Sequence, residues 1–154
     1  MRDFNEADKK KKARRVRIPE NPAKLPPEKL DELGQKVKQS LREGYLPCPA
    51  AWKIALDAGV PKIAVGEITD RLGVRVTDCQ IGCFKVDKAL HEDLIGHTAD
   101  EKTVALLEDL SRKNDLTCAT VFELAKKLNL KPLALADMAS LKDIRVRQCQ
   151  LGCF

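Results

Sequence analysis

The sequence predicts an all-α protein made of two small helical bundles in tandem, and three observations support this prediction. Helix-forming residues dominate, whereas aromatic residues make up only 4% of the 154 residues. Apolar residues recur at helical spacing in several stretches of the chain. A segment of the chain is also duplicated without a gap, because residues 48–84 align with residues 118–154. We therefore expect one bundle from each copy.

The duplication keeps its cysteines while most other positions have diverged. Residues 79–84 read CQIGCF and residues 149–154 read CQLGCF, so these two cysteine segments differ at a single position. All six cysteines of the chain lie at matched places in the two copies: Cys48, Cys79, Cys83, Cys118, Cys149 and Cys153. Any function assigned to the protein has to account for these two sets of three thiols.

Composition divides the chain into four parts. Residues 1–27 predict a flexible basic arm, which is too charged and too rich in proline to bury much apolar surface. Residues 28–84 form the first predicted helical repeat, residues 85–97 a connector and residues 98–154 the second repeat. The net charge of the whole chain is +5. The first 17 residues hold eight basic and three acidic residues, so the rest of the chain is neutral overall.

Each repeat is expected to begin with an amphipathic helix. The first helix should start near Pro27, because proline suits the opening turn, and should stop by Gly44. Its apolar face consists of Leu30, Leu33, Val37 and Leu41. In the second repeat, residues 98–101 resemble a capping box, and Val104, Leu107 and Leu110 follow at helical spacing.

A pair of helices joined by a tight turn follows in each repeat. The first pair is predicted over residues 49–58 and 61–72, and the second over residues 120–128 and 131–141. Gly59 and Asn129 should end the first helix of each pair, because both tolerate a left-handed backbone. Residues 74–76 read as a short extended stretch ahead of the first cysteine segment, which is expected to form a final helical turn or two. Another short helix is expected near residues 86–94.

Residues 51–70 resemble the helix-turn-helix of bacterial transcriptional regulators. The similarity lies in a small residue, a turn glycine and three apolar residues, here Ala55, Gly59, Val60, Val65 and Ile68. The second copy repeats the pattern with Ala125, Asn129, Leu130, Leu135 and Met138. The resemblance implies DNA binding, with the outward residues of the second helix touching base edges.

The outward positions of the second helices also allow another interpretation. They are Pro61, Lys62, Gly66, Glu67 and Asp70 in the first copy, and Lys131, Pro132, Ala136, Asp137 and Ser140 in the second. These positions carry three carboxylates and none of the arginine, asparagine or glutamine side chains that usually read bases. Such a surface also suits a helix pair that binds protein or serves only as a scaffold.

DNA contacts are predicted from the basic arm and from one lysine of each helix pair. A basic arm can neutralise phosphates without reading sequence. It can also serve merely to keep the protein in solution. The candidate DNA-binding residues are Lys9, Lys10, Lys11, Lys12, Arg14, Arg15, Arg17, Lys62 and Lys131.

The cysteines leave three interpretations open. Three thiolates from each repeat can hold zinc or an iron–sulfur cluster, since both favour cysteine sulfur. They can instead form a reversible disulfide, such as one between Cys48 and Cys79. They can also be buried core residues. A fourth metal ligand is not obvious, because His91 and His97 lie in the connector.

The leading hypothesis for function is therefore a cytoplasmic DNA-binding transcriptional regulator that responds to redox state or to a metal. The alternative is a protein-interaction or metal–sulfur accessory module that uses the same helices to bind a protein partner. No secretory signal or membrane span is recognisable in the sequence. An enzyme is disfavoured, because no nucleophile–base set or phosphate-binding loop is present.

Overall fold

The computed structural model describes residues 5–83 and 100–154, and within these residues the protein is largely helical. Seven helices and two short strands occur there. The helices are α1 (Glu6–Ala13), α2 (Pro27–Gln39), α3 (Cys48–Ala58), α4 (Lys62–Arg71), α5 (Glu101–Arg112), α6 (Cys118–Leu128) and α7 (Pro132–Leu141). The strands are β1 (Tyr45–Pro47) and β2 (Arg75–Thr77). None of the described helices is long and apolar enough to cross a membrane.

The chain divides into two compact units, and their boundaries differ from those of the sequence repeats. Unit 1 comprises Met1–Asp78 together with Cys149–Phe154, and unit 2 comprises Cys79–Gln148. Each unit thus contains the cysteine segment that belongs to the other sequence copy. The repeats predicted over residues 28–84 and 98–154 therefore do not coincide with the units at their last six residues.

The core of unit 1 is built from helices α2, α3 and α4, which pack on one another. Leu33 and Val37 of α2 are fully buried, as the helical periodicity predicts. Helix α2 ends at Gln39, earlier than the predicted stop at Gly44, and Gly44 instead takes a left-handed backbone in the turn before β1. Leu46 of β1 and Val65 of α4 are also fully buried in this core.

A small parallel sheet links the two ends of the helix pair in unit 1. Strand β1 pairs with β2 in parallel, with Leu46 opposite Val76. The extended stretch was predicted at residues 74–76, but the pairing strand β1 was not. Unit 2 has one matching parallel bridge, between Thr117 and Arg147. Adding the repeat offset to the Pro47–Thr77 pair gives this same bridge, so the two copies share the backbone arrangement.

The predicted helix pairs are present in both units. The turn after α3 uses Gly59, and the turn after α6 uses Asn129; both residues have a left-handed backbone. In unit 2, α7 packs against α5 and α6. Val121 and Leu135 are fully buried in this unit.

Two expectations have a different outcome. The cysteine segments form tight turns rather than helical turns, with Gly82 and Gly152 in the left-handed region. Asp100 caps helix α5 by accepting a hydrogen bond from the Thr103 backbone, whereas the predicted cap at Thr98 lies outside the described residues. The helix expected near residues 86–94 also lies outside them.

Candidate functional site

Helix α1 lies in the stretch for which the sequence predicts a flexible arm, and it belongs to unit 1. Helix α1 begins with a capping box between Asn5 and Asp8. The Nζ atom of Lys12 lies 2.6 and 2.7 Å from the two carboxylate oxygens of Asp70 on α4. Arg75 of β2 donates to Asp8 at 2.8 Å. These two ion pairs, which periodicity cannot reveal, explain why a strongly charged segment is held in place.

The candidate DNA-binding residues of this segment fall into two groups. Lys9 pairs with Glu6 at 2.9 Å within α1, and Lys12 is engaged with Asp70. The other five side chains are exposed, and none of them pairs with a carboxylate in the described parts of the chain: Lys10, Lys11, Arg14, Arg15 and Arg17. A cleft of about 250 Å³ lies beside them and is lined by Lys9, Lys12 and Arg17 among others.

The two remaining basic candidates have separate environments. The Nζ atom of Lys62 lies over the ring of Trp52, 4.2 Å from the ring centroid, which is cation–π geometry. Lys131 is exposed at the N-cap of α7 in unit 2. The ammonium group of Lys62 therefore already contacts the Trp52 ring, whereas the side chain of Lys131 is exposed to solvent.

The outward face of α4 is covered in unit 1. Gly66 is buried, and a β-carbon at this position would lie 2.7 Å from the carbonyl carbon of Leu151 in the second cysteine segment. Asp70 is occupied by Lys12, and Oε1 of Glu67 accepts from Arg71 at 2.8 Å. This hydrogen bond also raises the pKa of Arg71. Three of the five residues expected to touch base edges, Gly66, Glu67 and Asp70, are thus engaged with the protein itself.

In unit 2, the matching face of α7 is only partly available. Ala136 and Ala139 are buried, and Asp137 is half-buried. Ser140 and Lys131 are exposed. The exposed polar groups of this face are therefore the ammonium of Lys131 and the hydroxyl of Ser140.

Unit 1 contains three of the six cysteines: Cys48, Cys149 and Cys153. Cys48 is the first residue of α3 and is buried, while Cys149 and Cys153 are half-buried in the second cysteine segment. The side chain of Cys153 is hydrogen-bonded to Cys149, and Cys48 and Lys12 are near enough to influence its ionisation. Thiols from the two sequence copies are thus combined, a grouping that differs from the predicted set of Cys48, Cys79 and Cys83.

The pKa of the Cys153 thiol is raised above its ordinary value. The largest cause is the hydrogen bond with Cys149, which holds the proton on Cys153, and partial burial adds to it. Negative charge on Cys149 would raise it further, whereas the ammonium of Lys12 acts in the opposite direction. Cys153 therefore remains protonated near neutral pH.

The second cysteine segment is held in unit 1 by a closed turn and by close packing. The Cys149 amide donates to the Phe154 carbonyl at 2.9 Å, and the Gly152 amide donates to the Cys149 carbonyl at 2.8 Å. Gly152 has a φ of 68° and lies against apolar atoms of Ile18 and Ile63. Leu151 is fully buried. A larger residue at position 152 would be strained and would collide with Ile18.

The other three cysteines belong to unit 2. Cys118 opens α6 and is buried, Cys79 is buried, and Cys83 is exposed. Across residues 5–83 and 100–154, no group of three or more histidine, cysteine or acidic side chains is arranged to hold a metal ion. His91 and His97 lie outside those residues. A zinc or iron–sulfur site therefore stays a prediction.

Comparisons of the chain with protein-family models, with curated proteins and with solved structures gave no match.

Proposed function

We propose that the protein binds DNA through the phosphate backbone, using the exposed basic residues of helix α1 and the segment after it. The observation that carries this proposal is the cluster of five exposed cations defined above, Lys10, Lys11, Arg14, Arg15 and Arg17, which we call the basic cluster. Exposed cations can neutralise phosphates and release the counterions of the DNA.

The way in which α1 is held supports this proposal. Asp8 and Lys12 of α1 form ion pairs with Arg75 and Asp70, and these pairs fix the helix within unit 1. The residues of the basic cluster are not needed for this and remain exposed to solvent. A fixed set of cations loses less conformational entropy on binding than a flexible arm would. The helix therefore suits backbone contacts better than the expected flexible arm.

In its wider form the proposal is the transcriptional regulator implied by the resemblance to helix-turn-helix proteins. The covered face of α4 argues against base reading by unit 1, so base contacts would depend on α7 of unit 2. The proposal accordingly predicts DNA binding with little dependence on sequence. The two helix pairs would act chiefly as the scaffold that presents the basic cluster.

Binding to a random duplex of roughly 20 base pairs, followed by fluorescence anisotropy, tests the proposal. Five phosphate contacts predict that the logarithm of the affinity falls with a slope of about −4 to −5 as salt rises from about 50 to 200 mM. Replacing all five residues of the basic cluster with alanine should abolish measurable binding.

The matched control removes the same charges from unit 2. Like the basic cluster, the control set consists of two lysines and three arginines, all of them exposed: Arg112, Lys126, Lys127, Arg145 and Arg147. Their replacement with alanine should leave most of the affinity in place. Equal losses in the two variants would mean that only net charge matters, and no binding by the unaltered protein at low salt, in either thiol state, would refute the proposal.

A second candidate function is a protein-interaction module, which a specific observation favours. Leu128, Leu130, Leu133 and Leu141 of unit 2 are each 37–41% exposed and lie on α6, α7 and the turn between them. Exposed large apolar side chains that form a patch mark surfaces that bind another protein. If the basic cluster proves irrelevant to DNA, this module becomes the leading proposal.

The metal-accessory form of this candidate has its own test. Metal and sulfide content, with a visible absorption spectrum, should be measured on protein purified without air. Iron and sulfide together would assign the cysteines to a cluster, whereas zinc alone would indicate a structural site.

A further inference from the structure

The second cysteine segment brings two half-buried thiols into contact at the end of the chain. Cys149 and Cys153 are four positions apart within a turn closed by the Cys149–Phe154 and Gly152–Cys149 backbone hydrogen bonds. The thiol of Cys153 is hydrogen-bonded to that of Cys149. A disulfide requires two cysteines whose side chains already face each other at short range. The two backbone hydrogen bonds close the turn on itself, and this brings the two cysteines near each other within one short loop of unit 1.

Cys48 is the other cysteine of unit 1 that could form a disulfide with Cys149 or Cys153, but its burial disfavours this bond. It is only 6% exposed at the start of α3, whereas both thiols of the terminal pair are half-buried. A small oxidant therefore reaches the terminal pair first. Thiol–disulfide exchange also needs access to the attacked sulfur and a second thiol within reach.

We infer that Cys149 and Cys153 form a reversible intrachain disulfide when the protein meets a low-molecular-weight disulfide such as oxidised glutathione. This pairing replaces the Cys48–Cys79 type of bond expected from the sequence. It is independent of DNA binding, because it rests only on the terminal turn and its two thiols.

The reaction has two steps and balances with two molecules of reduced glutathione as product. Cys149 loses its proton and attacks oxidised glutathione, which forms a mixed disulfide and expels one glutathione thiolate. The Cys149 sulfur of the mixed disulfide carries no negative charge, so it no longer raises the pKa of Cys153 in this way. Cys153 then loses its proton and attacks that sulfur. The second glutathione thiolate leaves, and each leaving thiolate takes up one proton. The protein dithiol is oxidised by two electrons, and the low-molecular-weight disulfide is reduced by two.

The chain is well suited to a direct test by peptide mapping. Trypsin places Cys149 and Cys153 together in the peptide of residues 148–154, Cys79 and Cys83 in residues 76–85, Cys48 in residues 43–53 and Cys118 in residues 114–126. The full-length protein is equilibrated with mixtures of reduced and oxidised glutathione, with a chelator present, and is then alkylated and digested. An internal disulfide makes peptide 148–154 lighter by two hydrogen atoms and prevents its alkylation.

The expected result is that peptide 148–154 loses alkylation at both cysteines together and recovers both when reduced glutathione is added. The same product should form in a Cys48→Ser variant, which serves as the control. In a Cys153→Ser variant, the second step is blocked, so Cys149 should retain one glutathione as a mixed disulfide.

Three results would overturn the inference. One is a cross-link between peptide 43–53 and peptide 148–154. Another is full alkylation of Cys149 and Cys153 under conditions that attach glutathione to the exposed Cys83. The third is separate glutathione attachment at both terminal cysteines of the unaltered protein without ring closure. The wild-type measurement alone distinguishes these results, so the test does not depend on the folding of any variant.

Discussion

Gly66 shows how a single position in α4 determines whether the terminal segment can pack against unit 1. Alanine at this position would place a methyl group 2.7 Å from the carbonyl carbon of Leu151, and that neighbour is backbone that cannot rotate away. We expect Gly66→Ala to reduce the free energy of unfolding of unit 1 by about 1–3 kcal/mol, the usual cost of overpacking a core. Urea unfolding followed by circular dichroism measures it.

Gly34 of helix α2 provides the matched control for this substitution. It is also a helical glycine in unit 1, but a β-carbon at position 34 meets nothing within 4 Å. Gly34→Ala should stabilise the protein by about 0.5–1 kcal/mol, because alanine favours the helix. If both substitutions stabilise the protein to the same extent, Leu151 does not lie against α4.

The Cys153 thiol makes the free energy of unfolding depend on pH in the alkaline range. Its pKa is raised in the folded protein, so the folded state keeps a proton that the unfolded chain releases near the ordinary thiol value of 9.0. The stabilisation is complete below that value and is lost as the pH rises above it. Under reducing conditions, the difference in urea midpoint between the wild-type protein and Cys153→Ser should shrink between about pH 8 and pH 11. A difference that stays constant over this range would contradict the raised pKa.

At the scale of single residues, the sequence predicts the backbone conformation of a residue better than it predicts which distant residues it contacts. Gly59 and Asn129 were predicted to end their helices, because few residues tolerate a left-handed backbone, and both do. The contacts of Gly66 and Cys153 could not be predicted in this way. Gly66 contacts a segment that lies more than 80 residues further along the chain. The surroundings of Cys153 depend on how the whole chain folds.

Helix α1 is an element held by charge rather than by apolar burial. None of its residues is buried, and its long-range ion pairs are Lys12–Asp70 and Asp8–Arg75. Asp70→Asn leaves Lys12 half-buried without its carboxylate, which should weaken docking by about 1 kcal/mol. Tryptic cleavage after residues 10–15 should then be about fivefold faster than in the wild-type protein at low salt, and the difference should shrink at high salt, which screens the wild-type ion pair. Mass spectrometry of the early fragments measures it.

Asp57 supplies a control for the charge change itself. Its pair with Lys53 lies within α3 and is largely exposed, so Asp57→Asn removes the same charge without touching α1. This variant should be cleaved in the N-terminal segment at the wild-type rate. If Asp70→Asn is also cleaved at that rate, the ion pair does not hold the helix.

At the scale of elements, periodicity located the core helices but misjudged the charged segment. Leu33 and Val37 lie on the predicted buried face of α2, because apolar spacing reports directly on burial. The residues of α1 have no such spacing and were predicted to be flexible. Their order comes from carboxylates and cations far along the chain. Strand β1 (Tyr45–Pro47) was missed because it ends in proline and lacks the β-branched residues that mark the predicted stretch 74–76.

At the scale of the whole molecule, the cysteine segments lie in the units opposite to their sequence copies. This arrangement could not be predicted, because CQIGCF and CQLGCF differ only at Ile81 and Leu151, and each is compatible with either bundle. Both of these residues are at most 2% exposed. The similarity that obscured the arrangement in the sequence provides a pair of equivalent substitutions with which to test it.

Leu151→Ala and Ile81→Ala should therefore destabilise different units. Removing a large buried aliphatic side chain costs about 2–5 kcal/mol, and the loss falls on the core that the side chain fills. We expect Leu151→Ala to lower amide hydrogen-exchange protection in α2, α3 and α4, and Ile81→Ala to lower it in α5, α6 and α7. Each variant is the control for the other, because the removed side chains have equivalent positions in the repeat. The opposite pattern would show that each cysteine segment packs within its own sequence copy, and Cys48 would then face Cys79 and Cys83 instead of the terminal pair.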